Sequence, residues 1–293
     1  MGAKDELRQA ATVMLVRDQE ASGIEVLMLQ RNLNSDFVGG AYVFPGGAVD
    51  PEDSGELVDA HVVGLSDELA SARLELQAGG IAYWVAVLRE LFEEAGVLLT
   101  AHDASTALAA DPEAALRLAA MRHELNARER SFRSIIEAEG LVLDVSEVHY
   151  FAHWITPEGS PRRYDTYFFV AEAPEGQEAI HDDQETVDTI WIDPLEALER
   201  QRRGEISIIL PTIKNLQAIG RFTRTSELLE HARKMGEVPT ILPRFTEDGG
   251  GLRLLLPGDE GYDTAAPPAG GAGAAFTSAV QAVSKAANEG TAP

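Results

Sequence analysis

The stretch Arg89-Glu90-Leu91-Phe92-Glu93-Glu94-Ala95-Gly96-Val97 is the most informative part of this chain. It ends a segment, residues 81–95, whose apolar side chains recur at helical spacing, and Gly96 supplies a helix stop. On that helix Glu90, Glu93 and Glu94 are related by i, i+3 and i+4, so their carboxylates share one face. The sequence therefore predicts three neighbouring acids near the end of one helix.

Such an acidic face has two interpretations. On a solvated helix it would be ordinary, with Arg89 pairing with Glu93 one turn away. In a metal site a divalent cation would relieve the repulsion, and hard oxygen ligands suit Mg²⁺ or Mn²⁺. Upstream lies Phe44-Pro45-Gly46-Gly47, which alone would be an ordinary tight turn. Glycine also lets a backbone approach a ligand and present a carbonyl to metal, so the two segments together favour the metal site.

Strand and helix patterns alternate along the rest of the chain. Strands are predicted at 10–17, 24–29, 147–155, 163–171 and 187–192. Further helices are predicted as two within 104–139, one opening at Asp193-Pro194, and two at 210–220 and 225–236. A late hairpin is predicted at 241–245 and 252–256, and an Ala/Gly/Pro-rich, disordered tail at 263–293. This interleaving predicts an α/β or α+β domain with a mixed sheet.

Composition excludes several classes of protein. The 293 residues contain no cysteine, which rules out disulfides and thiolate metal sites. The formal net charge of −24 disfavours nonspecific nucleic-acid binding, because the surface would repel a phosphate backbone. No apolar run is long enough to cross a bilayer, and the first residues lack a secretory signal. We therefore expect a cytoplasmic protein that does not bind membranes or nucleic acid.

The glycine run and the acidic helix together resemble the Nudix hydrolase signature. That signature is a glycine, five residues, a glutamate, usually seven residues, then R-E-U-x-E-E-x-G-U, where U is apolar. Residues 89–97 match its second half at every specified position. Gly47 matches the start, but Asp53 stands where the family has glutamate, with Glu56 as a nearby alternative. The 35 residues between Asp53 and Arg89 imply an insertion at 54–80 within the motif.

An interrupted signature is similar to the split-box, peroxisomal-type coenzyme A diphosphatases. The resemblance covers roughly residues 8–260 and includes Leu29-Gln30-Arg31, Gly40 to Gly47, Trp154-Ile155-Thr156-Pro157, Arg162 to Phe169, Glu185 six before Trp191, and Leu255 to Asp259. It implies a single Nudix domain, a mixed β-sheet sandwiched between α-helices with helical insertions. The insertion at 104–139 would form a substrate lid or a homodimer contact.

The resemblance also implies a metal centre and a base. Glu90, Glu93 and Glu94 would hold Mg²⁺ or Mn²⁺, assisted by the carbonyl of Gly46 or Gly47. A further carboxylate would come from a later loop, with Glu185 preferred over its rivals, Asp182 and Asp183. Either Glu94 or Glu185 would accept the proton of the attacking water.

Substrate contacts are predicted from arginines and one aromatic residue. Arg31, Arg162 and Arg163 could bind phosphate bidentately, and Phe44 would line the substrate site. Surface salt bridges would explain the arginines equally well. His149 and His153 alternate along a predicted strand and are expected to be ordinary strand residues, since carboxylates already supply the metal site.

Three functions follow from the resemblance. The first is hydrolysis of coenzyme A or acyl-CoA to 3′,5′-ADP and a 4′-phosphopantetheine product. The second is hydrolysis of ADP-ribose or a nucleotide sugar. For that choice Pro112 has a suggestive spacing, 15 residues after Val97, although its Asp-Pro-Glu setting is explained as a helix start. The third is a noncatalytic domain that binds nucleotides or proteins, which would have no need of the repulsion among Glu90, Glu93 and Glu94.

Overall fold

The computed structural model describes residues 7–19, 23–33, 39–101, 111–248 and 251–265. Eight helices lie in these segments: α1 (Glu56–His61), α2 (Asp67–Arg73), α3 (Ile81–Ala95), α4 (Pro112–Asn126), α5 (Phe132–Glu139), α6 (Pro194–Arg202), α7 (Leu210–Ile219) and α8 (Thr225–Lys234). The strands of the main sheet are β1 (Leu7–Asp18), β2 (Ile24–Arg31), β3 (Ala41–Val43), β4 (Gly46–Ala48), β7 (His149–Ile155), β8 (Arg163–Glu172), β9 (Thr186–Ile192), β10 (Ser207–Ile208) and β11 (Thr240–Ile241). Two small pairs complete the described part: β5 (Val62–Val63) with β6 (Leu143–Asp144), and β12 (Arg244–Asp248) with β13 (Gly251–Leu255).

A mixed sheet forms the centre of the domain. Its main order is β10-β3-β2-β1-β8-β7-β11, with β4 paired to β1 and β9 paired to β2. Strand β1 runs parallel to β8 over ten residue pairs and antiparallel to β2 and β4. A parallel pair inside the sheet requires a long crossover, and the whole segment between β4 and β7, including α3, supplies it.

Both faces of this sheet are buried, so its central strands are apolar on both sides. Along β1, Val13 and Leu15 point into a core layer shared with α3, while Met14 and Val16 point into a second layer shared with α7 and α8. This alternation is the period of two that a strand imposes on its side chains. The predicted mixed sheet sandwiched between helices, the Nudix fold, is confirmed.

The insertion at 54–80 leaves the sheet and returns to it. It contains α1, β5 and α2, and Asp67 at the start of α2 accepts hydrogen bonds from the backbone N–H groups of Gly79 (3.0 Å) and Ile81 (3.1 Å). These bonds tie the end of the insertion to the first turn of α3, whose N–H groups need acceptors. The long insertion therefore ends at a fixed point, the start of α3.

Other elements agree with the sequence in most places. The two helices predicted within 104–139 are α4 and α5, and residues 102–110 lie outside the described part. The late hairpin is β12 and β13. The short strands β3 and β4 in the glycine-rich run were not predicted. A 3-10 turn at Tyr262–Thr264 overlaps the first residues of the predicted tail, and residues 266–293 lie outside the described part. Among the described helices, none combines the length and hydropathy needed to cross a bilayer.

Candidate active site

The three predicted carboxylates lie together at the last turns of α3. Glu90 is 9% exposed and Glu94 is 3% exposed, because almost every other residue of this helix packs into the core. Burial raises the pKa of all three acids, and repulsion from neighbouring carboxylates raises it further. An acidic face on an ordinary solvated helix would not show this burial, so that interpretation is wrong.

The glycine run lies directly against these acids. Gly46 donates its N–H to Oε2 of Glu94 at 2.9 Å, and β4 pairs Gly47 with Ala11 of β1. A Cβ atom on Gly47 would lie 2.4 Å from Oε1 of Glu90, so a larger residue fits there only if that carboxylate moves. The two halves of the interrupted motif therefore meet in space, as the split-box interpretation requires.

Replacing Gly47 with alanine should lower activity at least about tenfold with little loss of stability. The atoms in the way all belong to the end of the Glu90 side chain, which can rotate out of its position. Gly46→Ala is the matched comparison, because its Cβ would lie 2.5 Å from the backbone oxygen of Ala11, which cannot move cheaply. Turnover and thermal unfolding of both variants provide the measurement. Equal losses of stability in the two variants would contradict this expectation.

Asp53 anchors the arginine of the motif instead of joining the acidic cluster. Its carboxylate is 1% exposed and accepts from Nε (2.7 Å) and Nη2 (2.9 Å) of Arg89. Arg89 also donates to the carbonyl of Ala48 (2.8 Å) and to Glu90 (2.8 Å) and Glu93 (3.2 Å). Burial opposes the charge of Arg89, but these acids more than compensate and raise its pKa. The alternative acid of the motif, Glu56, pairs with Arg133 instead.

The loop before β9 brings Glu185 to the site and gives its rivals other roles. The Asp182 carboxylate accepts backbone N–H groups of the next turn, including that of Thr186 at 2.8 Å. Asp183 is exposed and pairs with His181. The Glu185 carboxylate is exposed in the cleft and has no hydrogen bond or ion pair within the described segments. Its negative charge helps to raise the pKa of Glu90, Glu93 and Glu94, although burial is the larger cause.

A cleft of about 1250 Å³ opens over this cluster. Of the residues predicted to bind substrate, Arg31, Phe44 and Arg162 line it, together with Trp154. Phe44 is 2% exposed, so its ring packs mainly in the core. The structure does not bring Arg163 to the cleft. That side chain donates from Nε to the backbone oxygen of Thr156 at 3.1 Å, because alternate residues of β8 point to opposite faces.

Comparison with known proteins identifies the family. The model of the NUDT19 Nudix domain matches residues 7–219. The chain belongs to the NUDT19 Nudix family. It is 29% identical to an acyl-coenzyme A diphosphatase NUDT19 of Gallus gallus, over 87% of this chain and 79% of that protein. The Homo sapiens protein of the same name is also 29% identical, over 84% of this chain and 74% of its own length.

A solved structure supports the fold of this NUDT19-type domain. The crystal structure of a NUDIX hydrolase from Alicyclobacillus acidocaldarius is 26% identical and superposes with a TM-score of 0.58. The match covers 78% of this chain and 97% of that one. The Nudix membership that the residues of α3 and the glycine run predicted is thereby confirmed.

The acids of this NUDT19-type site suit a divalent cation chemically. They are hard oxygen donors, and their raised pKa values show how costly their charges are without a neutralising partner. As the side chains stand, no three acidic or histidine groups in the described residues form a metal site. One oxygen of Glu94 accepts the Gly46 N–H, and one oxygen of Glu90 accepts from Arg89. Side-chain rotation of Glu90 and Glu93 away from Arg89 would make them available.

One wall of the cleft comes from the insertion at 104–139, although the sequence did not indicate which of its residues would face the substrate. It is formed by the end of α4, the following loop and the start of α5, where residues 125, 126 and 128–133 line the cleft. Arg122 and Asn126 of α4 donate to the backbone oxygen of Glu93 at 2.9 and 3.2 Å, which fixes this wall to the end of α3. In the sequence, the signal that α4 could face a cleft was the number of charged and polar residues along this helix. A cleft wall is compatible with the expected substrate lid.

His149 and His153 take no part in the cleft. Neither lines it, and His153 bonds to Asp165 (2.5 Å) on β8 and Thr240 (2.8 Å) on β11. Burial lowers the pKa of His149, which keeps it neutral within β7. Both are ordinary strand residues in this structure, as the sequence indicated.

Proposed function

We propose that this chain is a divalent-metal-dependent diphosphatase that cleaves coenzyme A or acyl-CoA to 3′,5′-ADP and a 4′-phosphopantetheine product. The observation that carries the proposal is the cluster of Glu90, Glu93 and Glu94, in which Glu90 and Glu94 are buried and Glu93 is partly buried, facing a large cleft that also contains arginines. Placing three acids together with so little solvent is unfavourable without a cation, so the cluster is better explained by metal binding than by stability. The names of the relatives described above support coenzyme A as the substrate.

Within this proposal each acid has a role. Glu90, Glu93 and Glu94 would hold Mg²⁺ or Mn²⁺, which when bound would neutralise the diphosphate and polarise the attacking water. Glu185 would accept the proton of that water. Its carboxylate is exposed to the cleft and unengaged within the described segments, whereas Glu94 already accepts the Gly46 N–H. A base needs this freedom to approach the water.

Arg31 would bind the diphosphate. It stands at the end of β2 and lines the same cleft as Glu94, and its positive charge offsets part of the effect of burial on the pKa of Glu94. Its Nε atom is buried and has no hydrogen-bond partner in the described part of the chain. A buried N–H without an acceptor is costly, and a phosphate oxygen is the acceptor that an arginine fork fits best.

The cleft also suits a large substrate. Its 1250 Å³ exceeds the roughly 300–1000 Å³ of typical small-molecule sites. Apolar residues, among them Trp154, Pro211 and Leu254, line it next to the charged ones. The cleft therefore offers both charged and apolar contacts, which suit a molecule with an anionic nucleotide end and a long apolar end. Pro112 lends no support to ADP-ribose, because it occupies the first turn of α4 after the capping residue Asp111.

The test is hydrolysis by the full chain in Mg²⁺ or Mn²⁺ of coenzyme A, acetyl-CoA, ADP-ribose, NADH and UDP-glucose. We expect kcat/KM for the coenzyme A compounds to exceed that for the others by about tenfold or more, equivalent to about 1.4 kcal/mol. EDTA should abolish turnover, and either metal should restore it. A tenfold preference for ADP-ribose or a nucleotide sugar would contradict the substrate, activity in EDTA would contradict the metal, and no turnover would favour a binding domain.

A further inference from the structure

The cleft is much richer in arginine than the rest of the chain. Seven arginines and nine acids line it, whereas the whole sequence has 24 basic and 48 acidic residues. Several of these arginines are engaged within the protein: Arg89 with Asp53, Arg130 with Glu124, and Arg133 with Glu137. Arg128 is exposed in the cleft and has no hydrogen bond or ion pair from its side chain in the segments described.

Arg128 also has an unusual backbone. Its φ of 59° lies in the left-handed region, and its N–H donates to the oxygen of Leu125 at 2.8 Å to close the end of α4. Glycine is the preferred residue at this position of a helix. Three described residues other than glycine have positive φ, and of these only Arg128 lines the cleft. Strained residues of this kind cluster at functional sites.

Arg128 lines the same cleft as the three acids of α3 but belongs to a different part of the fold, the end of α4. Asn126, two residues earlier, donates to the backbone oxygen of Glu93. Arg128 therefore closely follows the residue that joins α4 to the end of α3, and it lines the same cleft as Glu93. Arg31 lines the same cleft from the end of β2, a different element. The cleft therefore has two separate guanidinium positions for two separate anionic groups.

We propose that Arg128 binds the terminal phosphomonoester of the substrate, the 3′-phosphate of coenzyme A. This inference rests on the proposed function, because it assigns a second subsite of the same cleft. The 3′-phosphate is attached to the ribose that also carries the diphosphate, so one sugar ring separates the groups bound by Arg128 and Arg31. A planar guanidinium fork matches a phosphate dianion better than an ammonium does. Arg128 thus selects substrates that carry this phosphate.

The test uses Arg128→Gly, which removes the guanidinium and relieves the backbone at the same time. Glu75→Gly is the matched control, because Glu75 is an exposed, charged residue with φ of 57° that does not line the cleft. We measure Kd for 3′,5′-ADP and 5′-AMP by calorimetry, and kcat/KM for coenzyme A and dephospho-CoA. Arg8→Ala and Arg162→Ala examine the other cleft arginines.

The native chain should bind 3′,5′-ADP about tenfold or more tightly than 5′-AMP, and Arg128→Gly should reduce that ratio below about threefold. Dephospho-CoA turnover should stay within about twofold of the native value. Glu75→Gly should keep the preference, and Arg128→Lys should retain part of it. An unchanged ratio in Arg128→Gly, or its loss in Arg8→Ala or Arg162→Ala instead, overturns the proposal. If coenzyme A is not hydrolysed but the nucleotide ratio responds as described, the proposed function fails and the subsite stands.

Discussion

Replacing Glu94 with glutamine should lower kcat at least about a hundredfold while leaving the folded chain as stable as the native one, or more stable. Glu94 is buried, and desolvation together with the charge of Glu90 raises its pKa well above the ordinary value. A neutral side chain of the same size removes that repulsion and can still accept the Gly46 N–H through its amide oxygen. Turnover with coenzyme A and thermal unfolding are measured together.

The control for this variant is Glu113→Gln, an exposed acid at the start of α4 that does not line the cleft. It should change neither turnover nor stability. A Glu94→Gln protein that loses stability along with activity would point to a structural role for that carboxylate. Native turnover in Glu94→Gln would show that the site is elsewhere.

The Glu185→Gln variant separates the base from the metal ligands. It should lose turnover by a comparable factor but keep its affinity for Mn²⁺, because this carboxylate is assigned to the attacking water. Glu94→Gln and Glu93→Gln should weaken Mn²⁺ binding, measured by calorimetry. Weaker Mn²⁺ binding in Glu185→Gln would instead place that residue among the metal ligands.

Replacing Asp53 with asparagine should destabilise the chain by about 3 kcal/mol, because it leaves the buried guanidinium of Arg89 without its bidentate partner. Breaking a buried ion pair costs about 3–5 kcal/mol, and we expect the lower value because Glu90 and Glu93 still pair with the same guanidinium. Activity should fall as well. Arg89, on α3, donates to the backbone oxygen of Ala48 next to the glycine run, and this bond holds the glycine run against α3. Urea denaturation gives the change in unfolding free energy.

A surface pair provides the comparison for Asp53. Arg203 and Glu205, just after α6, form an ion pair whose side chains are 44% and 45% exposed, and solvent screens such pairs. Glu205→Ala should therefore leave the urea midpoint unchanged. If Asp53→Asn behaves in the same way, the contact between Asp53 and Arg89 does not hold α3 in place.

Local sequence was sufficient to predict helix α3 with its three carboxylates and most of the sheet. The carboxylate face of α3 depends on a repeat of 3.6 residues within one segment, and Gly96 at its end adopts the left-handed conformation of a helix stop. The apolar runs of β1, β2 and β8 similarly predict strands with both faces buried. These features need only neighbours in sequence, so they can be read before any tertiary contact is known.

Only the tertiary structure assigned roles to residues that act across long separations. Asp53 contacts Arg89 across the insertion, and Asp67 fixes the end of that insertion to the start of α3. No local repeat in the sequence encodes these contacts. Likewise, the turn geometry before β9 engages the Asp182 carboxylate with backbone N–H groups, while Glu185 remains exposed to the cleft. The sequence determined which carboxylates were available. The packing of distant segments decided which are buried, which are paired and which can face a substrate, because burial and pairing depend on neighbours in space.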